Sequence, residues 1–220
     1  MSQDHTYKPD RLLNDQALEQ VLQAGATLLD VRHPQKYAAG HLHGSISLAY
    51  HPTNYAWRLE HFITVQHSLI IVSESPMERQ AAAFSLMQGG YNIAGYAELD
   101  SSASLATLRQ LSVVQLQNEI ATGRLEQDLM VLDVREKGDW LEYHLQGAYH
   151  IPILEVPERA GELLSGRIVA VMAESNIYST TVASYLRYMH GYEVANVPEG
   201  VPGWARSGFA IKRKEPDNKS

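Results

Sequence analysis

"LLDVRHPQKYAAGHLHGSISL", Leu28 to Leu48, returns as "VLDVREKGDWLEYHLQGAYHI", Val131 to Ile151. The two stretches share seven identities in twenty-one aligned positions at an offset of 103. One structural unit used twice accounts for this, and the flanking sequence supports it. Upstream, "NDQALEQVLQAG" (Asn14 to Gly25) and "SVVQLQNEIATG" (Ser112 to Gly123) align at an offset of 98. Each opens on an N-cap residue and closes on a glycine, with apolar residues at helical spacing between (Leu18 and Leu22, Leu116 and Ile120). Ser112 followed by Gln115 has the form of a capping box. Both segments are predicted to be short amphipathic helices.

Each helix leads into an apolar run, "TLLDV" or "MVLDV", suited to a strand buried on both faces. The residues that widen the offset fall in "GRLEQDL", read as loop. A brief helical segment and an extended piece near Leu48 or Ile153 follow. Then come a strand, "SLIIVSES" or "RIVAVMAES", a helix containing "QAAAFSLM" or "TTVASYLRYM", and a small strand, "GYNIA" or "GYEVA". Strands alternating with helices predict an α/β protein with a mostly parallel sheet, helices on both faces, built twice. The boundary is placed in Glu98 to Gln110. The predicted organisation is an extension over 1–13, domains over 14–98 and 112–212, a linker over 99–111 and a polar tail over 213–220.

With 220 residues, 45% hydrophobic, the chain can form two modest cores. Its net charge of -7, from 18 basic and 25 acidic residues, repels polyphosphates, so nucleic acid is not an expected partner. The basic cluster Lys212 to Lys214 is read as part of a solvated tail. The start, "MSQDHTYKPDR", has no apolar run, and the most apolar stretches are far shorter than the roughly twenty residues a spanning helix needs. A soluble, cytoplasmic chain without membrane contact is the expectation. There is no cysteine.

Asp-Val-Arg, an aromatic five residues later, His-Leu-x-Gly, a strand-loop-helix and a Gly-Tyr turn together resemble the rhodanese homology domain, from about Asn14 to Ile211. The first copy contributes Asp30, Val31, Arg32, Tyr37, Gly40, His41, Leu42 and Gly44. The second contributes Asp133, Val134, Arg135, Trp140, His144, Leu145 and Gly147, with Tyr143 where a glycine is usual. "VPEGVPGWARSGF" resembles the closing segment of such domains through Gly200, Gly203, Trp204 and Gly208; the first copy lacks it. The resemblance implies a six-residue loop after the central strand, begun in sulfurtransferases by a persulfide-forming cysteine. There the loop N–H groups and the start of the next helix would cradle an anion.

Here those loops are Glu74, Ser75, Pro76, Met77, Glu78, Arg79 and Glu174, Ser175, Asn176, Ile177, Tyr178, Ser179, so glutamate stands at both cysteine positions. Shifting the alignment by one residue brings Ser73 and Ala173 instead, and still no thiol. A carboxylate oxygen does not hold sulfane sulfur, so persulfide chemistry is excluded, as is the phosphatase mechanism that needs the same thiol. Glu74 and Glu174 are expected to fill the N–H cradle with their own carboxylates or to point to water.

Ser73 and Ser75 lack a nucleophile elbow and are read as structural. His41, His43, His51, His61 and His67 show no zinc spacing, so no metal or other cofactor is expected; His41 and His144 are read as fixed at the turn after the short helix. Asp30 with Arg32 and Asp133 with Arg135 are read as structural, the arginine reaching a carboxylate. Tyr50, Tyr55 and Trp57 either anchor a partner or roof the core. The leading expectation is a catalytically inactive tandem protein acting as a binding, scaffold or regulatory module, with an unidentified protein or a small anion as partner. The competing one is a carboxylate-dependent, hydrolase-like enzyme using Glu74 with Glu78 or the exposed serines.

Overall fold

The computed structural model describes residues 12–99 and 104–213; Lys214, the rest of the tail, nearly all of the N-terminal extension and part of the proposed linker lie outside them. The chain divides into two compact units, one ending at Thr107 and the next beginning at Leu108. The first unit contains α1 (Asp15–Gln23), β1 (Thr27–Asp30), α2 (Pro34–Ala39), β2 (Ile46–Ser47), α3 (Tyr55–Glu60), β3 (Ser68–Val72), α4 (Pro76–Gln88) and β4 (Asn92–Ala97). The second contains α5 (Val113–Ala121), β5 (Leu129–Asp133), α6 (Lys137–Glu142), β6 (Tyr143–Leu145), β7 (Tyr149–His150) and α7 (Val156–Arg159). It continues with β8 (Ile168–Met172), α8 (Asn176–His190), β9 (Val194–Asn196), α9 (Gly200–Arg206) and β10 (Ile211–Arg213).

The opening helices start where their caps dictate. Asn14 Oδ1 accepts the Ala17 N–H at 2.9 Å. Ser112 and Gln115 close a reciprocal capping box, satisfying two amides that the helix itself leaves without partners. "GRLEQDL", read as loop, instead winds one 3₁₀ turn over Arg124–Glu126. Ion pairs from Arg124 to Glu119 and Asp128 hold that turn.

Both units have a four-stranded parallel sheet of one topology, β2-β1-β3-β4 and β7-β5-β8-β9. Their central pairs share a register, with Asp30 opposite Val72 and Asp133 opposite Met172. In the first sheet Leu28, Ile70, Val72 and Ala97 pack with Leu18, Val21 and Leu22 of α1. Leu29, Leu69 and Ile71 alternate to the other face and are as fully buried, beside Ala82, Ala83 and Leu86 of α4. The second sheet repeats the plan. Val131, Ala170, Met172 and Ala195 pack against Leu116 of α5 and Val201 and Trp204 of α9, while Val182, Ala183 and Leu186 of α8 are buried elsewhere in that core.

A closing segment returns to the His-Leu strand in each unit, a pairing that sequence reading does not supply. In the second unit β10 pairs antiparallel with β6, Lys212 opposite His144. In the first, His41 and Ala106 exchange backbone hydrogen bonds at 2.9 Å. The first copy therefore has a reduced counterpart of the closing segment that the resemblance shows only in the second. This pairing explains Gly40 and Tyr143. A Cβ on Gly40 would come 3.1 Å from the Leu105 side chain. In the second unit Arg213 follows instead, and its guanidinium stands over the Tyr143 ring at 5.8 Å. Gly200 has φ +58°, and a Cβ there would come 2.2 Å from the Ala173 carbonyl oxygen, so α9 can begin against the loop only with glycine.

Candidate functional site

Asp30 ends β1, and Glu74 follows β3 by two residues, so parallel pairing brings the Asp-Val-Arg turn beside the loop at the carboxyl edge of the sheet. Asp30 is fully buried. Its Oδ1 accepts the Arg32 amide at 3.0 Å and Nε at 2.9 Å, and Oδ2 accepts Nη2 at 2.6 Å. Nη2 also donates to the Gly40 carbonyl at 2.8 Å. Burial pushes the Asp30 carboxyl above its ordinary value, and Arg32 pulls it back only in part.

Arg32 has one nitrogen left for the mouth. Nη1 donates to Glu74 Oε1 at 2.9 Å, while Lys36 Nζ donates to Oε2 at 2.6 Å. Glu74 is thus pinned at both oxygens. Lys36 first, and Arg32 second, hold its carboxyl below the ordinary 4.5. The expectation that the loop N–H groups would hold Glu74 is corrected here. The predicted six-residue loops are mostly helix, since α4 begins at Pro76 and α8 at Asn176. Pro76 has no N–H, Glu78 N binds Ser75 Oγ, Arg79 N binds the Ser75 carbonyl, and Ser75 N binds Ser73 Oγ. Ser75, Glu78 and Arg79 thus use their amides locally, and both oxygens of the carboxylate are held by side-chain cations.

The other loop residues have defined places. Ser75 caps α4, and buried Ser73 donates to Glu78 Oε2 at 2.8 Å. Met77 is 80% exposed. Arg79 stacks on Tyr96 at 4.4 Å and pairs with Glu98 at 3.2 Å. Arg32, His33, Lys36, Glu74, Ser75 and Glu78, all charged or polar residues, line an open cavity of about 370 Å³.

The second domain reproduces the arginine but not the lock. Arg135 N and Nε bind Asp133 Oδ1 at 3.0 and 3.1 Å, and Nη2 binds Oδ2 at 2.8 Å and the Tyr143 carbonyl at 2.7 Å. Arg135 Nη1, however, is buried without a hydrogen-bond partner among the described residues. Glu174 is exposed and forms no hydrogen bond or ion pair among the described residues. Ser175 precedes α8 without capping it by its side chain; Ile177 is half-buried, Tyr178 exposed and Ser179 buried. Asn176 instead enters a buried polar group with Thr180 and Asn196.

The two family histidines are fixed in parallel ways. His41 Nδ1 binds the Tyr37 carbonyl and the ring stacks on Tyr37 at 3.9 Å; His144 Nδ1 binds the Trp140 carbonyl and stacks at 3.7 Å. Gly44 and Gly147, at φ +85° and +84°, make the turn that follows. The aromatic group divides: Tyr55 is buried with Tyr50 at its edge, whereas Trp57 is 52% exposed. Among the described residues no His, Asp and Glu side chains gather to hold a metal, and no helix is long and apolar enough to cross a membrane.

Because the fold holds Glu74 below 4.5, its pairing stabilises the first domain above that pH and is lost as pH falls through the folded value. Glu74→Gln is therefore expected to lower stability at pH 7 by about 1 kcal/mol or less, the carboxylate being half exposed, and to match the parent in acid. The raised Asp30 works in the opposite sense in both proteins and largely cancels in the difference, the Glu74 charge being the smallest of the causes that shift it. Thermal melts from pH 7 to 3 measure this, and a pH-independent gap would remove the ion pair from the account.

A family model described as the rhodanese-like domain matches residues 13–99 and 112–207. YrkF of Bacillus subtilis, whose name marks it as a candidate sulfur carrier, is 27% identical over 104 residues, covering 47% of this chain and 55% of that protein. A sulfurtransferase of Allochromatium vinosum is 27% identical over 104 residues, covering 44% and 97%. A solved thiosulfate sulfurtransferase from Pseudomonas aeruginosa is 21% identical with a TM-score of 0.43, covering 93% of this chain and 41% of that one. The chain thus spans about half the length of the Bacillus protein and less of the Pseudomonas one. With both of its halves matched by the same model, the chain belongs to the rhodanese-like domain family.

Proposed function

We propose that this is a catalytically silent tandem rhodanese-like protein whose loop mouths act as binding sites, with residues 14–98 and 112–212 as the modules and 99–111 as the linker. The observation that carries this reading is Glu74. A carboxylate stands at the first position of the loop, in a chain without cysteine, and both its oxygens are bound by cations of its own domain. Persulfide transfer needs a polarisable sulfur nucleophile, and no side chain here supplies one.

The hydrolase-like alternative needs a glutamate of raised pKa in a dry cleft. Glu74 is shifted the other way, and the cavity around it is open and lined by charged and polar residues. The names of the relatives suggest sulfur transfer or carriage, but the thiol that such roles rest on is absent here. Partners are proposed to be a protein or a small anion, and not nucleic acid, given the net charge of -7.

The purified protein, incubated with thiosulfate and cyanide, is expected to form thiocyanate no faster than buffer alone. Turnover above that background, stoichiometric with the protein and resistant to chelators, would overturn the reading.

A further inference from the structure

The two mouths are built on one plan but carry opposite charge at one position. Lys36 is the third residue of α2, and its counterpart Asp139 is the third residue of α6. His33, before α2, corresponds to Glu136, before α6. Glu74 and Glu174 both lie two residues beyond their strands, and the strand registers agree. Arg32 and Arg135 make matching bonds through N, Nε and Nη2, so their Nη1 atoms aim at corresponding places.

In the first domain that place is filled by a chain of alternating charge: guanidinium, carboxylate, ammonium. In the second, a carboxylate replaces the ammonium, so Glu174 would have to approach Arg135 against Asp139 and Glu136. Like charges across a short gap oppose that approach. Glu174 accordingly stays exposed, and Arg135, 3% exposed, keeps a buried donor without a partner beneath it. The Tyr143 ring lies against the guanidinium at 5.0 Å, which covers the cation but accepts no hydrogen bond in the plane of Nη1.

We propose that the mouth of the second domain is a site for a primary ammonium group, held between Asp139 and Glu174. The bound ammonium takes the role that Lys36 plays in the first domain. It neutralises Asp139 and lets Glu174 turn in to accept from Arg135 Nη1, completing the same alternation of charge. A compact cation with three donors can bridge two carboxylates, and Lys36 Nζ on Glu74 shows an ammonium at the corresponding glutamate in the first copy. The ammonium comes either from a lysine side chain of a protein or from a free amine. This inference deepens the reading of the mouths as binding sites and rests on it.

The test uses the full chain, with Arg135 side-chain N–H resonances as the readout. Butylammonium is titrated at low salt beside a lysine-containing tetrapeptide, and tetramethylammonium serves as a cation without N–H donors. Butylammonium is expected to shift the Arg135 signals with half-saturation in the millimolar range, as for an exposed ion pair, and tetramethylammonium to bind at least about tenfold more weakly. A peptide that binds at least about tenfold tighter than butylammonium identifies a protein source, and equal affinities identify a free amine. Asp139→Lys should abolish the response and start with Arg135 already at the shifted position. Glu174→Gln, which leaves Asp139 alone, should abolish the response as well. Arg135 signals that ignore butylammonium, or that respond equally in Glu174→Gln, overturn the proposal. Thiocyanate formation tests the silent-enzyme reading separately, because it does not depend on whether amines bind.

Discussion

Asp133→Ala is expected to destabilise the second domain by about 3–5 kcal/mol, a large part of the 5–15 kcal/mol that typically holds a domain together. Asp133 is 1% exposed and Arg135 is 3% exposed. Removing the carboxylate strands a guanidinium in the core and takes the acceptor from the Arg135 amide as well. The cost comes from leaving one charge uncompensated, more than from the net value of the pair, so truncating one partner is the harshest test. An exposed pair such as Arg159 with Glu155 makes the contrast, with an expected loss below about 1 kcal/mol on truncation. Urea unfolding followed through Trp140 and Trp204, both in the second unit, measures the difference. A loss under 1 kcal/mol for Asp133→Ala would show that the Asp-Val-Arg turn is not what secures the loop mouth.

Glu74→Cys is expected to give a thiol far more acidic than Glu174→Cys. With the carboxylate gone, Arg32 Nη1 and Lys36 Nζ both face the new side chain, and a thiolate is the only species there that can answer them. At position 174 the thiolate would meet Arg135 but also Asp139 and Glu136, whose charges oppose ionisation. A lowering of about one unit from the ordinary 8.5 in the first case, against none or a rise in the second, means roughly a tenfold difference in thiolate near pH 7. Since the natural chain has no other cysteine, the pH dependence of alkylation reports each new thiol alone. Equal midpoints in the two variants would mean that Lys36 and Asp139 do not govern their mouths.

The fold was legible because its signals are local. Helix caps at Asn14 and Ser112, apolar runs ending in Asp30 and Asp133, and glycines at the turns each act within a few residues. The return of the chain onto the His-Leu strand was not legible. His41 meets Ala106, and Tyr143 meets Arg213, across sixty-five and seventy residues, and neither closing segment has a strand pattern of its own. The cations that hold Glu74 were not legible for a related reason: Arg32 and Lys36 lie 42 and 38 residues away along the chain, while Pro76 after Ser75 starts a helix in which Ser75 takes up the Glu78 amide.

By itself the sequence determined that two copies of one scaffold are present and that neither contains a cysteine, because both facts depend only on which residues occur and in what order. Only the tertiary structure decided that the two glutamates differ. Parallel pairing of strands about forty residues apart brings Glu74 to Lys36 and Arg32, whereas Glu174 stays exposed and Arg135 Nη1 goes without a hydrogen-bond partner among the described residues.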